Sequence, residues 1–294
     1  MSSHTAGSQR KESQAQGSIS AVKRRPAVLR ALGDCDPPQT VEIAGRVFER
    51  EDIFKHDSWA ATALYRSRRD PEMRVICKFN RTEPVFLLPM RWLGKLLAKR
   101  EGLAFRQLFD VAGIPQWSGV VRKDGIELTN AVAHEFVPGR PLKSDERVAD
   151  EFFLRLKAIL EAMHQAGFAY VDLHKRENVI VDVNGHPALI DFQISMQPAP
   201  KWIWKLPGMK SLLRLFQSTD RFCLYKHVRN CRADQIGLLG LSSYQRIPWW
   251  IRMHRMIAVP FRQTRRRLLA WLRIRNRAGA STSEYFPEHA FREG

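Results

Sequence analysis

Two short apolar runs, Asn178-Val179-Ile180-Val181 and Pro187-Ala188-Leu189-Ile190, flank the turn Asp182-Val183-Asn184-Gly185-His186. Runs of this length around an Asn-Gly turn predict a β-hairpin. The hairpin constrains its polar flanks as well. Asn178 opens the first strand, Asp191 closes the second, and Asp172 precedes both, after a helical run and a turn. Pairing the strands brings Asn178 and Asp191 to face one metal ion, with Asp172 beside them. Mg²⁺ takes hard oxygen ligands and is usually held by one or two side chains plus substrate phosphates, so an Asn/Asp pair is a sufficient protein share. Asp172 is then left to orient an attacking hydroxyl and accept its proton.

In this stretch Tyr170-Val171-Asp172 and Asp191-Phe192-Gln193 resemble the HRD and DFG motifs of the protein-kinase-like superfamily. Asn178 lies one residue further from Asp172 than that family's pattern wants, which reads as an insertion within Leu173-His174-Lys175-Arg176-Glu177. The resemblance implies an α+β, bilobal protein-kinase-like fold, with a small antiparallel-sheet lobe and a larger, mainly helical lobe. It implies ATP and Mg²⁺ as cofactors, Asp172 as the catalytic base, and Asn178 and Asp191 as metal ligands. Upstream, Met73-Arg74-Val75-Ile76-Cys77-Lys78-Phe79 alternates like a strand and resembles the VAIK strand, which makes Lys78 the phosphate-gripping lysine. A helix expected over 92–111 carries Glu101 at the position of the family's lysine-pairing glutamate. A strand over 128–136 runs into Val137-Pro138-Gly139, similar to the hinge, so backbone groups of Glu135 and Val137 are expected to meet the adenine edge.

Where a GxGxxG loop would cover the phosphates, the chain has His56-Asp57-Ser58-Trp59-Ala60-Ala61-Thr62, without glycine. Glycines let backbone amides approach phosphate closely. Ser58 and Ala60, being small, are the nucleotide-binding candidates in this turn. Val171 stands in place of the arginine through which many protein kinases sense phosphorylation of the activation loop. His174 replaces the catalytic-loop lysine, leaving Lys175 or Arg176 as phosphate neighbours. No Ala-Pro-Glu triplet follows Asp191, which argues against a peptide acceptor. The Asp-Leu-His opening of the catalytic loop and the DFx triplet are most similar to the bacterial lipopolysaccharide (Kdo/heptose) kinase group, over roughly residues 45–235. Aminoglycoside-phosphotransferase-like enzymes share the broad pattern.

Ser218-Thr219-Asp220 is a capping signal for a helix expected over 221–228, so Asp220 reads as an N-cap. The resemblance offers Asp220 a second role, bracing the catalytic loop from behind. His164, in the last turn of a helix expected over 149–165, reads as a packed or capping histidine rather than a ligand.

The 294 residues suffice for a substantial core, and Cys35, Cys77, Cys223 and Cys231 show no spacing that favours zinc or a disulfide framework. Residues 1–30 lack the apolar core of a signal peptide, so a reducing, cytoplasmic location is expected. The net charge of +18 is concentrated: from Lys201 onward 19 Lys/Arg stand against 5 Asp/Glu, a difference of +14. Trp202, Trp204, Trp249, Trp250 and Trp271 and a basic stretch at 261–277 lie in the same region. A basic aromatic face suits an anionic membrane surface, and peripheral attachment to the cytoplasmic face of the inner membrane is the reading. Two competing readings are tryptophans packed in the large lobe and, ranked third, nucleic acid, for which no motif is present.

The expected organisation is a disordered basic tail (1–38), an N-lobe (39–137), a C-lobe (138–240) and a basic aromatic extension (241–294). The expected function is a phosphotransferase with ATP and a sugar, lipid-linked or protein hydroxyl as partners, most closely a lipopolysaccharide-core sugar. A protein serine/threonine kinase and a catalytically silent scaffold are its rivals.

Overall fold

The computed structural model describes residues 26–84, 88–198 and 206–246, together with Arg252. The tryptophans at 202, 204, 249, 250 and 271 and the basic stretch 261–277 lie outside the described residues. The fold is α+β. Strands β1 (Thr40–Ile43), β2 (Arg46–His56), β3 (Ala60–Ser67), β4 (Arg74–Asn80), β5 (Trp117–Gly119), β6 (Val121–Lys123), β7 (Ile126–Glu127) and β8 (Ala131–Glu135) form one antiparallel sheet in the order β5-β8-β4-β3-β2-β1-β6-β7. The sheet curls until β6 touches β8.

β4 is buried almost throughout its length, because the sheet core lies on one side and helix α1 (Arg91–Gln107) on the other. α1 presents Gly94, Ala98, Glu101 and Phe105 at helical spacing to the interior. Gly94 is required there, since a Cβ would run into the carbonyl oxygen of Arg81. The sheet keeps its own core of Val41, Ile43, Phe48, Ala63, Tyr65, Val75 and Cys77.

A second core begins at Phe105 of α1 and Leu108 just after it and continues through helix α2 (Phe152–Gln165) and helix α3 (Met209–Cys231). Between them lies a small sheet of β9 (Gly139–Pro141), β10 (Val179–Asp182) and β11 (Pro187–Leu189). The expected hairpin is β10–β11, with Val179 opposite Leu189. Asp182 closes its turn by accepting the amides of Asn184 (2.9 Å) and His186 (2.7 Å). Two cores on either side of α1 are compatible with a bilobal kinase-like fold. Cys35, Cys77, Cys223 and Cys231 form no disulfide with one another. No helix among the described residues is long and apolar enough to cross a membrane.

Two expectations need correction. Asp220 is not an N-cap: α3 begins at Met209, after Gly208 in the left-handed region (φ 85°), and Asp220 sits mid-helix. A Ser-Thr-Asp sequence is a local signal, and the apolar face of a long amphipathic helix overrides it. Nor is all of 1–38 a tail. Residues 26–38 pack on the sheet edge, where Arg30 and Ala31 are buried and the guanidinium of Arg30 pairs with Asp36 and meets His56 Nδ1 at 3.0 Å.

Candidate active site

Asp172, Lys175 and Asn178 stand three residues apart in a segment that turns with 3₁₀ geometry. The amide of Lys175 donates to the carbonyl of Asp172 (3.1 Å), and that of Asn178 to the carbonyl of Lys175 (3.3 Å). Side chains at i and i+3 eclipse in such turns, so all three share one side. Lys175 Nζ lies 2.7 Å from Asp172 Oδ2, and Asn178 Nδ2 donates to the same oxygen at 3.1 Å. The extra residue of the loop thus completes a second turn and returns Asn178 to Asp172. It also makes Lys175, rather than His174, the lysine neighbour of the carboxylate. Asp172 is buried; its Oδ1 accepts no hydrogen bond, although His174 Nδ1 is 3.3 Å away.

The loop is held from below by α3. Asp220, fully buried, accepts the amides of Tyr170 and Val171, both at 2.8 Å, and His164 Nε2 at 3.0 Å. The bracing role that resemblance offered Asp220 is therefore the geometry observed. Val171 needs it, because its φ of 70° is unusual for a β-branched residue. His227 Nε2 adds a 2.6 Å contact to the carbonyl of Leu173.

Lys78 reaches across the lobes. Its Nζ donates to Glu101 Oε1 (3.2 Å) and to Asp191 Oδ1 (2.8 Å). Burial works against the ammonium, but Asp191 and Glu101 outweigh it and raise its pKa above the usual value. Burial likewise opposes the charge on Asp191, yet Lys78, Lys175 and Lys55 hold its carboxyl below the usual carboxylate range. Glu101 is 1% exposed, and burial pushes it up to about 7 against the pull of Lys78. It is no surface glutamate. Asp191 adopts φ 65°, and the amide of Ile190 before it donates to the carbonyl of Asn178 (3.1 Å), which joins the two metal-ligand candidates through the backbone. Rings continue the connection: Tyr170 meets Phe192 edge-on at 5.3 Å, Phe192 meets Phe105 at 5.2 Å, and Phe105 lies 4.7 Å from His134.

Lys78, Glu101, Asp172, Asn178 and Asp191 are thus gathered in one place. The other candidates differ. Asp57 Oδ1 accepts the amides of Trp59 (2.7 Å) and Ala60 (3.0 Å), and Ser58 Oγ donates to the carbonyl of Leu29 (3.0 Å). Arg81 clamps the same turn from the sheet edge, donating to the carbonyls of Ser58, Val28, Arg30, Glu83 and Pro84. The Ser58 hydroxyl and the Ala60 amide are therefore engaged within the chain. The amide of Glu135 donates to Gln116 (2.9 Å), and its carbonyl accepts His134 Nδ1 (2.8 Å). Val137 alone of the two hinge candidates makes no hydrogen bond to any described residue.

No cluster of three or more His, Cys, Asp or Glu able to hold a metal occurs among the described residues. The donor chemistry still fits Mg²⁺, which needs no more than the Asn178 amide and the Asp191 carboxylate when phosphate oxygens complete the shell. Two clefts of about 310 and 590 Å³ lie elsewhere, one beside α2 and α3 at Lys157 and Tyr244, the other under residues 32–39. A reading of the sequence gives Asp57 no role and makes Asp220 a cap. An aspartate two residues before a turn amide is the signal for the first, and the second has no local signal.

No protein-family model matches the chain. Over 132 residues it is 33% identical to the serine/threonine-protein kinase OXI1 of Arabidopsis thaliana, a match that covers 39% of this chain and 30% of that kinase. The similarity supports a protein-kinase-like relationship and, with it, a kinase-like phosphotransferase.

Proposed function

We propose that the chain is an ATP- and Mg²⁺-dependent phosphotransferase that acts on a hydroxyl. The observation that carries this reading is the Lys78 ammonium bridging Glu101 and Asp191, beside the Asp172–Asn178 pair. Asn178 and Asp191 would hold Mg²⁺, whose charge, when bound, offsets that of the phosphates. Lys78, kept in place by Glu101, neutralises phosphate oxygens. Asp172 orients the acceptor hydroxyl and takes its proton at the uncommitted Oδ1, while Asn178 and Lys175 fix the other oxygen. Open backbone at Val137 meets the adenine edge.

The acceptor we favour is a lipopolysaccharide-core sugar or a similar molecule at a membrane surface. Val171 in place of an arginine, the missing Ala-Pro-Glu triplet and the basic residues beyond Lys201 support it. The cytoplasmic face of the inner membrane is the matching location. A protein hydroxyl is the second reading, favoured by the similarity to a serine/threonine-protein kinase. A silent scaffold is the third, favoured by the internally bonded β2–β3 turn.

Thermal unfolding with ATP, with and without Mg²⁺, tests the nucleotide site. At about 100 times Kd, ATP should add about 2.7 kcal/mol of stability. The gain should require Mg²⁺ and vanish in Lys78→Ala and Asp191→Ala. No gain at millimolar ATP would favour the scaffold. Asp172→Ala should keep nucleotide binding and lose turnover by about 10²–10⁴-fold. An acceptor panel of core sugars and proteins then separates the first two readings.

A further inference from the structure

Asp57 takes the amides of Trp59 and Ala60 in the β2–β3 turn, so the outer phosphates call for a further donor if the nucleotide reading above, on which this inference rests, is correct. We infer that Lys55 is a second phosphate-binding ammonium, standing in for the absent glycine loop, with Asp57 as the internal anion it exchanges for the nucleotide.

The strand register puts Lys55 in position. Lys55 of β2 lies opposite Thr62 of β3, and Thr62 lies opposite Lys78 of β4. Residues directly opposite in antiparallel pairs share a face, so the two lysines stand in one cross-strand row. Two strand spacings separate their backbones, about 10 Å. Thr62, small and half-buried, is the side chain between them. The row depends on an irregularity: pairing shifts between Ile53 and Lys55, so Phe54 is the extra residue and Lys55, not Phe54, falls opposite Thr62. Bulges next to functional sites commonly re-aim a side chain in this way. Phe54 packs instead against Phe136 beside the hinge, their rings 6.2 Å apart.

Charge and freedom complete the case. Lys55 Nζ lies 2.8 Å from Asp57 Oδ2, and its side chain is 52% exposed. An exposed ion pair is worth little, typically less than a kilocalorie per mole, and a polyphosphate offers far more negative charge than one carboxylate. A flexible four-carbon stem lets the ammonium change partners without moving the backbone. The turn then needs no glycine. Residues 26–33 and Arg81 hold it, and a side chain supplies the donor that backbone amides would otherwise supply.

Titration calorimetry of the full chain with Mg²⁺-ATP and with adenosine decides the matter, using Lys55→Ala, Lys55→Arg and Lys78→Ala. Lys55→Ala should weaken ATP binding about tenfold or more and leave adenosine binding unchanged, and Lys55→Arg should restore most of the loss. A merely structural lysine would shift both ligands together or neither. If Lys55→Ala binds ATP as the parent does while Lys78→Ala does not, Lys55 is a surface residue and the nucleotide reading stands. If the parent chain binds no ATP, both fall.

Discussion

The catalytic loop and the β2–β3 turn face the same space but are built on opposite plans. The loop is immobilised from inside: Asp220 is fully buried, Asn178 nearly so, and their partners are backbone amides or a buried carboxylate. The turn is held from outside, by residues 26–33 and by Arg81, and it leaves Trp59 48% exposed. Groups that move protons must be positioned closely before the substrate arrives, which buried hydrogen bonds achieve. Groups that meet phosphate need only charge and reach. The two halves of the site therefore tolerate sequence change to different degrees.

Removing Asp220 should separate the two plans most strongly. Asp220→Ala leaves two buried amides and the His164 ring without an acceptor, and each such loss costs about 1–3 kcal/mol. We expect a total of about 3–9 kcal/mol in urea unfolding, with the left-handed backbone of Val171 released from what constrains it. Ser58→Ala in the turn removes one hydroxyl-to-carbonyl bond from a half-exposed site and should cost about 1 kcal/mol or less. Equal losses would abolish the distinction between a buried floor and a surface roof.

Sequence spacing reveals the floor because the chemistry sits at the ends of a hairpin, and a hairpin is a local structure. Asp172, Asn178 and Asp191 could be gathered from nineteen positions of chain, and even the extra loop residue follows from 3₁₀ periodicity once Lys175 is seen to fall between them. Lys78 and Glu101 were legible for a different reason, the resemblance of their strand and helix to the family's lysine strand and its glutamate-bearing helix. Asp220 was legible only through the resemblance, which offered it the bracing role as a second reading behind the cap. Its partners are about 50 residues away, and its immediate neighbours spell a cap. The roof was misread because small residues suggested an open turn, whereas Asp57 closes it. Residues 26–38 were counted with the tail although Ala27, Val28, Leu29, Ala31 and Leu32 make the stretch partly apolar, and Arg30 and the distant Arg81 are buried there through guanidinium bonds that no periodicity predicts.

Acid sensitivity offers an intermediate test at the back of the site. Burial holds the pKa of His134 down to about 4, from an ordinary 6.5. Between those values the unfolded chain takes up a proton that the folded chain refuses, so stability must fall as pH drops from about 6.5 to about 4. At about 1.4 kcal/mol per pH unit, this one group accounts for about 2–3 kcal/mol. His134→Phe preserves the stacking on Phe105 and cannot titrate. Its unfolding free energy should decline less steeply over that window, measured by urea denaturation at several pH values. His56, which burial also lowers to about 4, belongs to the turn and should retain its share of the acid loss. A variant with the parent's slope would place the whole acid response at the edge of the sheet.

The smallest effect is expected in the turn itself, from Asp57→Asn. The amide oxygen can still accept the Trp59 and Ala60 amides, so the turn keeps its shape and stability should change by about 1 kcal/mol or less. What disappears is the charge that occupies Lys55. With that competitor gone, Mg²⁺-ATP should bind a few-fold more tightly, while adenosine should bind as before, because the gain comes from phosphate alone. Weaker ATP binding would mean that the Asp57 carboxylate positions Lys55 rather than competing for it. The roof would then share the floor's plan, with an internal acid presetting the geometry of a functional side chain.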